Sequence, residues 1–229
     1  SITVHGADEF YDAWRQHLAQ KVAHADFIVC ISNFARSQLM FVSESRHWHN
    51  LVVCRLGIDV TLFNPRPYTR TRADEPFNML CVGRLSSAKG QQLLIEAVGR
   101  LRAMGRPVKL DIVGGGVNMA MLQDLVKQLG LADTVTLSGP INQDRIREHY
   151  QSADCFAMAS FAEGIPVVLM EAMSMQIPCV TTHITGIPEL IAHGQTGLLV
   201  PPSDVDGLVE QIDRLIADPA LAKRLGEAA

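Results

Sequence analysis

The sequence predicts an α/β fold with doubly wound parallel sheets, and three observations lead to this prediction. From Phe77 onward, short apolar runs alternate with amphipathic helical patterns. The apolar runs end at glycines or prolines, as in VKLDIVGGG and TVTLSGP. A separate pattern of the same kind covers residues 1–60. Such alternation is typical of βα units, whose right-handed crossovers place helices on both faces of a parallel sheet.

Each pattern can be divided into elements. In the first pattern the predicted strands are SITVHG, DFIVCIS and LVVCRLG, and the predicted helices are FYDAWRQHLAQKVAHA and NFARSQLMFV. From Phe77 the predicted strands are FNMLCVG, VKLDIVGGG, TVTLSGP, DCFAMAS, IPCVTT and TGLLVPP. A helical pattern follows each of these, and the one after IPCVTT is the short stretch GIPELIAHG. In MAMLQDLVKQLG we expect Gly130 as the C-cap and an inward face made of Leu122, Leu125, Val126 and Leu129.

The two patterns predict two domains joined by a linker. Residues 64–76, NPRPYTRTRADEP, contain three prolines and few apolar side chains, which favours a linker. The basic cluster within it (Arg66, Arg70 and Arg72) is interpreted as solvated. We therefore expect residues 1–63 to be the tail of a first α/β domain and residues 77–229 to be a second domain. The chain begins without Met and ends within a helical pattern, so we expect it to be a piece of a longer protein.

Composition excludes several classes of function. A net charge of -4 and a pI near 6.0 give no electrostatic basis for nucleic acid as the main partner. No apolar run approaches the ~20 residues of a membrane span. The five cysteines include no CxxC pair, and most lie in predicted buried strands. This distribution favours a reducing compartment over a disulfide framework or a zinc site.

Two glutamates are the most informative residues of the chain. Seven residues separate Glu163 from Glu171 in SFAEGIPVVLMEAM, and Glu171 is the only charged residue between Pro166 and Pro178. A carboxylate in a helix with such apolar surroundings is costly unless it has a partner. Glu163 could simply cap this helix, and Glu171 could pair with a core arginine. The pair is better explained by a polar ligand at the helix start, with hydroxyls offered to both acids.

The loops after the predicted strands supply groups that suit a diphosphate. Arg84 and Lys89 follow the first strand of the second domain, after Gly83, where both cations could clamp phosphate oxygens. Three glycines at residues 114–116 follow the next strand and let backbone approach a ligand. Free N–H groups near residues 164–168, aided by the helix dipole, can also receive phosphate oxygens, and Pro166 suits the first helical position.

One string resembles a metal-binding motif. Asp204 and Asp206 form a DxD-like pattern after PPS. Acids at this position complement the dipole of a starting helix, so we reject a metal site there.

Together these segments resemble the glycosyltransferases of family 4, which have the two-domain GT-B fold. The resemblance is carried by VGRLSSAKG, by EGIPVVLMEAM with its paired glutamates, and by IPCVTTHITGIPELIAHGQTGLLVPP. It covers essentially the whole chain, and EGIPVVLMEAM followed by TGIPELI is similar to bacterial exopolysaccharide enzymes of the colanic-acid type. The chain departs from the family pattern at Gln176, where most relatives carry Gly, and at residues 114–116, where Gly-acid-Gly is usual.

The resemblance implies roles for residues in both predicted domains. In the first domain, His5 is implied to face the donor across the cleft, with Asp8 as a weaker candidate in the same loop. In the second, the nucleotide-sugar donor domain, Arg84 and Lys89 would neutralise the donor diphosphate and Glu171 would bind the ribose hydroxyls. The implied remainder of the donor site is Gly83 and Gly114, with Gly139 and Pro140 near the base, and Glu163, Gly164, Ile165 and Pro166 at the sugar.

The implied reaction is transfer of a sugar from a UDP- or GDP-sugar to a polysaccharide-repeat or lipid-linked acceptor. Retention of configuration is implied by the resemblance, and neither a metal nor a cofactor is expected because two cations face the leaving diphosphate. We expect a cytoplasmic protein, with membrane contact through the missing part of the first domain. A GT-B sugar-nucleotide epimerase and a donor-binding fragment without turnover remain alternatives. A dehydrogenase is disfavoured because no dinucleotide fingerprint opens the first strand.

Overall fold

The computed structural model describes residues 1–5, 10, 17–68, 70 and 76–229, except for the side chain of Gln143. These residues form two compact units, which are described separately. The first unit comprises Ser1–Ile58, Ala162–Val167 and Ile184–Leu190. The second unit comprises Asp59–Phe161, Val168–His183 and Ile191–Ala229. No helix in the described part of the chain has both the length and the apolar character that a membrane span needs.

The first unit is built on a three-stranded parallel sheet in the order β1-β2-β3. Its strands are β1 (Ile2–Val4), β2 (Ile28–Cys30) and β3 (Leu51–Val53). Its helices are α1 (Leu18–His24), α2 (Asn33–Val42) and a 3₁₀ helix at Ser45–Asn50. Helix α2 begins where the sequence predicts, because the Ser32 hydroxyl accepts a hydrogen bond from the backbone N–H of Ala35.

The second unit contains a six-stranded sheet in which every pairing is parallel. Its strands are β4 (Phe77–Val82), β5 (Val108–Val113), β6 (Val135–Gly139), β7 (Cys155–Ala157), β8 (Cys179–Thr182) and β9 (Leu198–Val200). Its helices are α3 (Gln91–Ala103), α4 (Met119–Gln128), α5 (Gln143–Ser152), α6 (Val167–Ser174), α7 (Val205–Ala217) and α8 (Pro219–Glu227). The predicted α/β class and parallel sheet are confirmed.

The strand order determines where a ligand is expected to bind. The order is β6-β5-β4-β7-β8-β9, so the chain runs outward in one direction from β4 and then in the other from β7. In open α/β sheets, ligands bind at the carboxyl ends of the strands where the order reverses. The loop after β4 therefore lies at this switch point, and it carries Arg84 and Lys89.

Three local predictions are wrong. Leu129 is 46 % exposed, because it lies after the last turn of α4 and not on its inward face. The stretch GIPELIAHG forms only a 3₁₀ turn at Ile187–Glu189. Arg66 and Arg70 are not solvated: Arg66 donates to the carbonyl of Ala153 and is half-buried.

Arg70 is almost completely buried for two physical reasons. Its Nη1 donates to the carbonyl of Pro76 at 2.8 Å, and its guanidinium lies 5.1 Å from the ring centroid of Phe77. These contacts pack part of the predicted linker within the second unit. Arg72, the third member of the basic cluster, lies outside the described residues. The predicted domain boundaries at residues 63 and 77 remain predictions.

Candidate functional site

Glu171 is buried in the second unit and has an identified partner. It lies within α6 with 9 % of its surface exposed. Its Oε2 accepts a 2.7 Å hydrogen bond from the hydroxyl of Tyr150 on α5. The alternative of an ion pair with a core arginine is therefore not what the described residues show. Among these residues the second carboxylate oxygen, Oε1, has no hydrogen-bond donor.

Burial shifts the pKa of both Glu171 and Tyr150. Loss of solvation raises the pKa of Glu171, and the hydrogen bond from Tyr150 lowers it in part. Burial, together with the neighbouring carboxylate, raises the pKa of Tyr150 far above its ordinary range. Tyr150 therefore stays protonated at neutral pH and acts as the hydrogen-bond donor of the pair.

The loop after β4 presents the two predicted cations. Arg84 is exposed and forms no ion pair with the residues that the structure describes, whereas Lys89 is half-buried at the end of the 3₁₀ helix Ser87–Lys89. The buried side chain of Gln91 donates from Nε2 to the carbonyl of Arg84 at 2.9 Å. This hydrogen bond fixes the backbone of the loop that carries the exposed guanidinium.

Backbone hydrogen bonds join the loops after β4, β5 and β6. The N–H of Gly83 donates to Val113, and the N–H of Gly114 donates to Gly139, each at 2.9 Å. Leu85 donates in turn to the carbonyl of Gly115 at 2.9 Å. The second unit thus brings together the predicted positions Gly83, Arg84, Gly114 and Gly139 at one edge of the sheet. Pro140, which follows Gly139, is exposed at the same edge.

The three glycines after β5 are not equivalent. A β-carbon on Gly114 would lie 1.9 Å from the carbonyl oxygen of Gly83, and one on Gly116 would lie 2.2 Å from that of Leu85. A β-carbon on Gly115 would meet only Pro140, at an ordinary 3.6 Å. Close backbone approach therefore requires glycine at the outer two positions but not at the middle one. This difference is consistent with the Gly-acid-Gly pattern of the resembling family.

The loop after β7 is tied to its neighbours within the second unit. The N–H of Phe161 donates to the carbonyl of Ala88 at 2.8 Å. The hydroxyl of Thr182, at the end of β8, donates to the carbonyl of Ser160 at 2.7 Å. These contacts fix the backbone of residues 160 and 161, which directly precede the segment that contains Glu163 and Glu171.

The first unit contains the other glutamate. Glu163 is 7 % exposed, and its carbonyl accepts a 2.5 Å hydrogen bond from the hydroxyl of Thr185. Thr185 has a φ of 46°, which is an unfavourable backbone conformation for a β-branched residue. Backbone strain of this kind often occurs at functional sites. Sequence reasoning missed Thr185, since neither its φ nor its contact has a local signal.

Two further predicted positions meet within the first unit. A β-carbon on Gly164 would lie 2.1 Å from the carbonyl oxygen of His5, so this close approach requires glycine. His5 follows β1 directly and its side chain is exposed. Ile165 is half-buried and Pro166 is buried directly before the first residue of α6, one position earlier than predicted. Asp8 lies outside the described residues.

Glu189 is a second residue that the sequence did not single out. Its Oε2 accepts hydrogen bonds from the backbone N–H and the side-chain amide of Asn33, and its Oε1 accepts one from the N–H of Phe34. The carboxylate therefore caps the start of α2 within the first unit. Only the motif GIPELI could have drawn attention to it, because its partners lie 155 and 156 residues away in the chain.

The acids at the start of α7 behave as predicted. Asp204 is the N-cap, and its Oδ1 accepts a 2.8 Å hydrogen bond from the N–H of Gly207. Asp206 pairs with Arg100. Within the described part of the chain, no cluster of three or more His, Cys, Asp or Glu side chains suits a metal ion.

The second unit also contains a cavity of about 620 Å³ that lies away from the predicted site residues. It is lined by α3 and by the chain around Gly130, and Arg100 and Arg102 stand at its walls. These two arginines are paired with Asp206 and Asp133. The cavity contains none of the predicted site residues, so its volume alone does not locate the functional site.

Comparison with known proteins gives a family match over most of the chain. The family model described as "Glycosyl transferases group 1" matches residues 69–229. A GDP-mannose-dependent alpha-(1-6)-phosphatidylinositol monomannoside mannosyltransferase from Mycolicibacterium smegmatis is 32% identical over 217 residues, which are 89% of this chain and 56% of that protein. The putative colanic acid biosynthesis glycosyltransferase WcaL from Escherichia coli is 32% identical over 218 residues, covering 91% of this chain and 53% of WcaL.

The fold is also shared with solved structures. The HepE protein of Anabaena, solved in complex with UDP-glucose, superposes with a TM-score of 0.86 at 22% identity. The superposition covers 99% of this chain and 65% of HepE. The chain thus spans about half the length of the curated relatives it matches.

Proposed function

The chain belongs to the glycosyl transferases of group 1, and we propose that it transfers a sugar from a UDP- or GDP-sugar to a polysaccharide-repeat or lipid-linked acceptor. Two similar proteins support a nucleotide-sugar donor, since one is named as GDP-mannose-dependent and another was solved with UDP-glucose. WcaL supports an exopolysaccharide pathway. A lipid-linked acceptor would place the reaction at the cytoplasmic face of a membrane.

The observation that carries the proposal is the carboxylate of Glu171. It is nearly buried, only one of its oxygens is held by a described residue, and burial raises its pKa. An acid in this situation costs free energy unless a ligand completes its hydrogen bonds. Vicinal hydroxyls of a ribose are suitable donors for the second oxygen. We assign Glu171 to the ribose of the donor.

The diphosphate is assigned to the loop after β4. Arg84 has an exposed guanidinium, and Lys89 follows five residues later at the end of the 3₁₀ helix that precedes α3. When the bond between the sugar C1 and the diphosphate oxygen breaks, negative charge grows on the leaving diphosphate. Two cations placed there stabilise the transition state more than the ground state. We propose on this ground that catalysis needs no metal ion and no cofactor.

The sugar is assigned to residues of the first unit. Glu163 is buried and its backbone is held by Thr185, so its carboxylate has a fixed origin from which to accept hydrogen bonds of sugar hydroxyls. Gly164, Ile165 and Pro166 would shape this part of the site with their backbone. His5 is proposed to face the donor, and retention of configuration is part of the proposal.

The experiment that tests the function measures product release. The protein is first mixed with a panel of UDP- and GDP-sugars, and a rise in melting temperature identifies the donor, since a ligand that binds the folded state raises apparent stability. The identified donor is then incubated with lipid extracts or oligosaccharide acceptors, with EDTA in a parallel reaction. We expect free nucleoside diphosphate to appear only with an acceptor, at an unchanged rate in EDTA.

Other outcomes would favour the alternatives. An altered sugar on the intact donor, formed without acceptor, would identify an epimerase. Stabilisation by a donor without any turnover would identify a donor-binding module. If no nucleotide or nucleotide-sugar changes the melting temperature, the proposed function is refuted.

A further inference from the structure

The hydroxyl of Tyr150 is positioned by two acceptors on α6. It lies 2.7 Å from Oε2 of Glu171 and 3.2 Å from the carbonyl oxygen of Val168. A phenol has a single proton to donate. The shorter distance and the negative charge of the carboxylate make Glu171 the main acceptor. Tyr150 therefore links α5 to the one charged residue of α6.

The ring of Tyr150 cannot move away from this position. Tyr150 is fully buried within the second unit. The ring of Phe63 meets it edge to face at a centroid distance of 5.8 Å, and the ring of Phe156 stacks on it at 5.9 Å. Close packing of this kind restricts a side chain to one rotamer. The hydroxyl is thus a fixed donor, and the flexible carboxylate must orient toward it.

This geometry gives the two carboxylate oxygens of Glu171 different roles. Oε2 is held by Tyr150, and Oε1 has no donor among the residues that the structure describes. A free glutamate side chain would lose rotamer freedom on binding a ligand. We propose that Tyr150 is a positioning residue for the nucleotide: it holds Oε2 of Glu171 so that Oε1 accepts a hydrogen bond from a ribose hydroxyl. The inference rests on the proposed assignment of Glu171 to the ribose.

Tyr150 also favours the charged form of the acceptor. An ionised carboxylate accepts at both oxygens, whereas a protonated carboxyl carries a donor O–H on one of them, and burial works against ionisation of Glu171. The hydrogen bond from Tyr150 lowers the pKa of Glu171 and so opposes this effect. Cys81 on β4 and Cys179 on β8 are the other titratable groups that act on Tyr150. Burial raises the pKa of Cys179, so its thiol stays neutral at physiological pH.

The test is a double-mutant cycle on nucleotide affinity. Dissociation constants of UDP and GDP are measured by calorimetry for the wild-type protein, Tyr150→Phe, Glu171→Ala and the double variant. We expect Tyr150→Phe to weaken binding of the preferred nucleotide about tenfold, because a hydrogen bond to a charged group is lost. In the Glu171→Ala background the same substitution should change affinity less than about twofold, because the residues act through one interaction.

A matched control and a pH profile separate positioning from a structural role. Tyr68→Phe also removes one buried hydroxyl, but among the described residues that hydroxyl has no hydrogen-bond partner, so affinity should not change. Loss of the Tyr150 hydrogen bond raises the pKa of Glu171 further. In Tyr150→Phe the loss of nucleotide affinity on acidification should therefore begin at a higher pH than in the wild-type protein.

The outcomes distinguish this inference from the function on which it rests. The positioning role is overturned if Glu171→Ala weakens nucleotide binding and Tyr150→Phe does not. It is also overturned if Tyr150→Phe weakens binding equally in the wild-type and Glu171→Ala backgrounds. In both cases the assignment of Glu171 to the ribose stands. If Glu171→Ala leaves affinity unchanged, the ribose assignment itself fails.

A second measurement covers the case in which Tyr150→Phe does not fold. The ¹³Cζ chemical shift of Tyr150 is followed by NMR in the wild-type protein during titration with UDP or GDP. A ligand on Oε1 draws charge from the carboxylate and weakens the hydrogen bond on Oε2. We expect the Tyr150 signal to shift on saturation, and an unchanged signal would overturn the inference.

Discussion

The backbones of Gly83 and Gly114 lie so close together that a β-carbon on Gly114 would stand 1.9 Å from the carbonyl oxygen of Gly83. Their loops follow neighbouring strands, β4 and β5, at the edge of the sheet where the strand order reverses. The loop that carries Arg84 therefore packs directly against the backbone of Gly114, where there is no room for a side chain.

This contact predicts different effects at two adjacent glycines. Gly114→Ala should lower the free energy of unfolding by about 2 kcal/mol, because backbone must move to admit the methyl group. It should also weaken nucleotide binding by displacing the loop of Arg84. Gly115→Ala is the matched control and should change both quantities little, since its new methyl group meets only Pro140 at 3.6 Å. Urea denaturation and calorimetry measure the two effects; equal effects at both positions would contradict the account.

Gln176 predicts a stabilising substitution. It follows α6 with a φ of 58°, and its N–H donates to the carbonyl of Met173 at 2.8 Å. A non-glycine residue in this left-handed conformation costs on the order of 1 kcal/mol. Gln176→Gly should therefore raise the free energy of unfolding by about 1 kcal/mol, as measured by urea denaturation. Gly83→Ala, at a position where an added β-carbon would meet nothing within 4 Å, is a suitable comparison. A lower free energy of unfolding in Gln176→Gly than in the wild-type protein would refute the backbone strain at Gln176.

Sequence patterns predicted those helices and strands well whose formation depends on local signals. Helix α2 was predicted over the residues that form it, and the Ser32 cap explains its start. The fold class followed from alternation, and Arg84 and Gly114 could be placed at one sheet edge because parallel strands end together. Gly139 was implied only by the family resemblance. Buried Glu171 was predicted from its apolar neighbours.

Features that depend on distant contacts could not be predicted. Tyr150 lies 21 residues from Glu171, and nothing in DRIREHYQSA marks it as the partner of a carboxylate. Arg70 is buried by the ring of Phe77 and the carbonyl of Pro76, although its sequence neighbourhood is typical of a solvated linker. The strained φ of Thr185 also has no local signature.

The assignment of Arg84 and Lys89 to the leaving group predicts a kinetic pattern. Arg84→Ala or Lys89→Ala should lower kcat more than it weakens donor affinity, because charge on the diphosphate grows in the transition state. A loss of kcat of about 100-fold is expected for each. Lys127→Ala, at an exposed lysine on α4, is the charge-matched control and should leave kcat unchanged. Unchanged kcat in both site variants would remove these residues from the mechanism.

The raised pKa of Glu171 predicts a pH dependence of stability. Folding raises this pKa, so the group favours the folded state most below its ordinary pKa, and that contribution is lost as pH rises through the folded value. The free energy of unfolding of the wild-type protein, relative to Glu171→Gln, should therefore fall as the pH rises above the ordinary pKa of a glutamate. Urea denaturation across this range measures the difference; a constant difference would show that burial does not perturb Glu171.

The central claim is that Glu171 is buried in order to bind the ribose of a nucleotide-sugar. It is tested by comparing the affinity of UDP and GDP with that of their 2′,3′-dideoxy counterparts, in the wild-type protein and in Glu171→Ala. We predict that the wild-type protein prefers the natural nucleotide by about tenfold or more and that Glu171→Ala loses this preference. A wild-type protein that does not distinguish the two nucleotides, or a Glu171→Ala variant that still does, would contradict the claim.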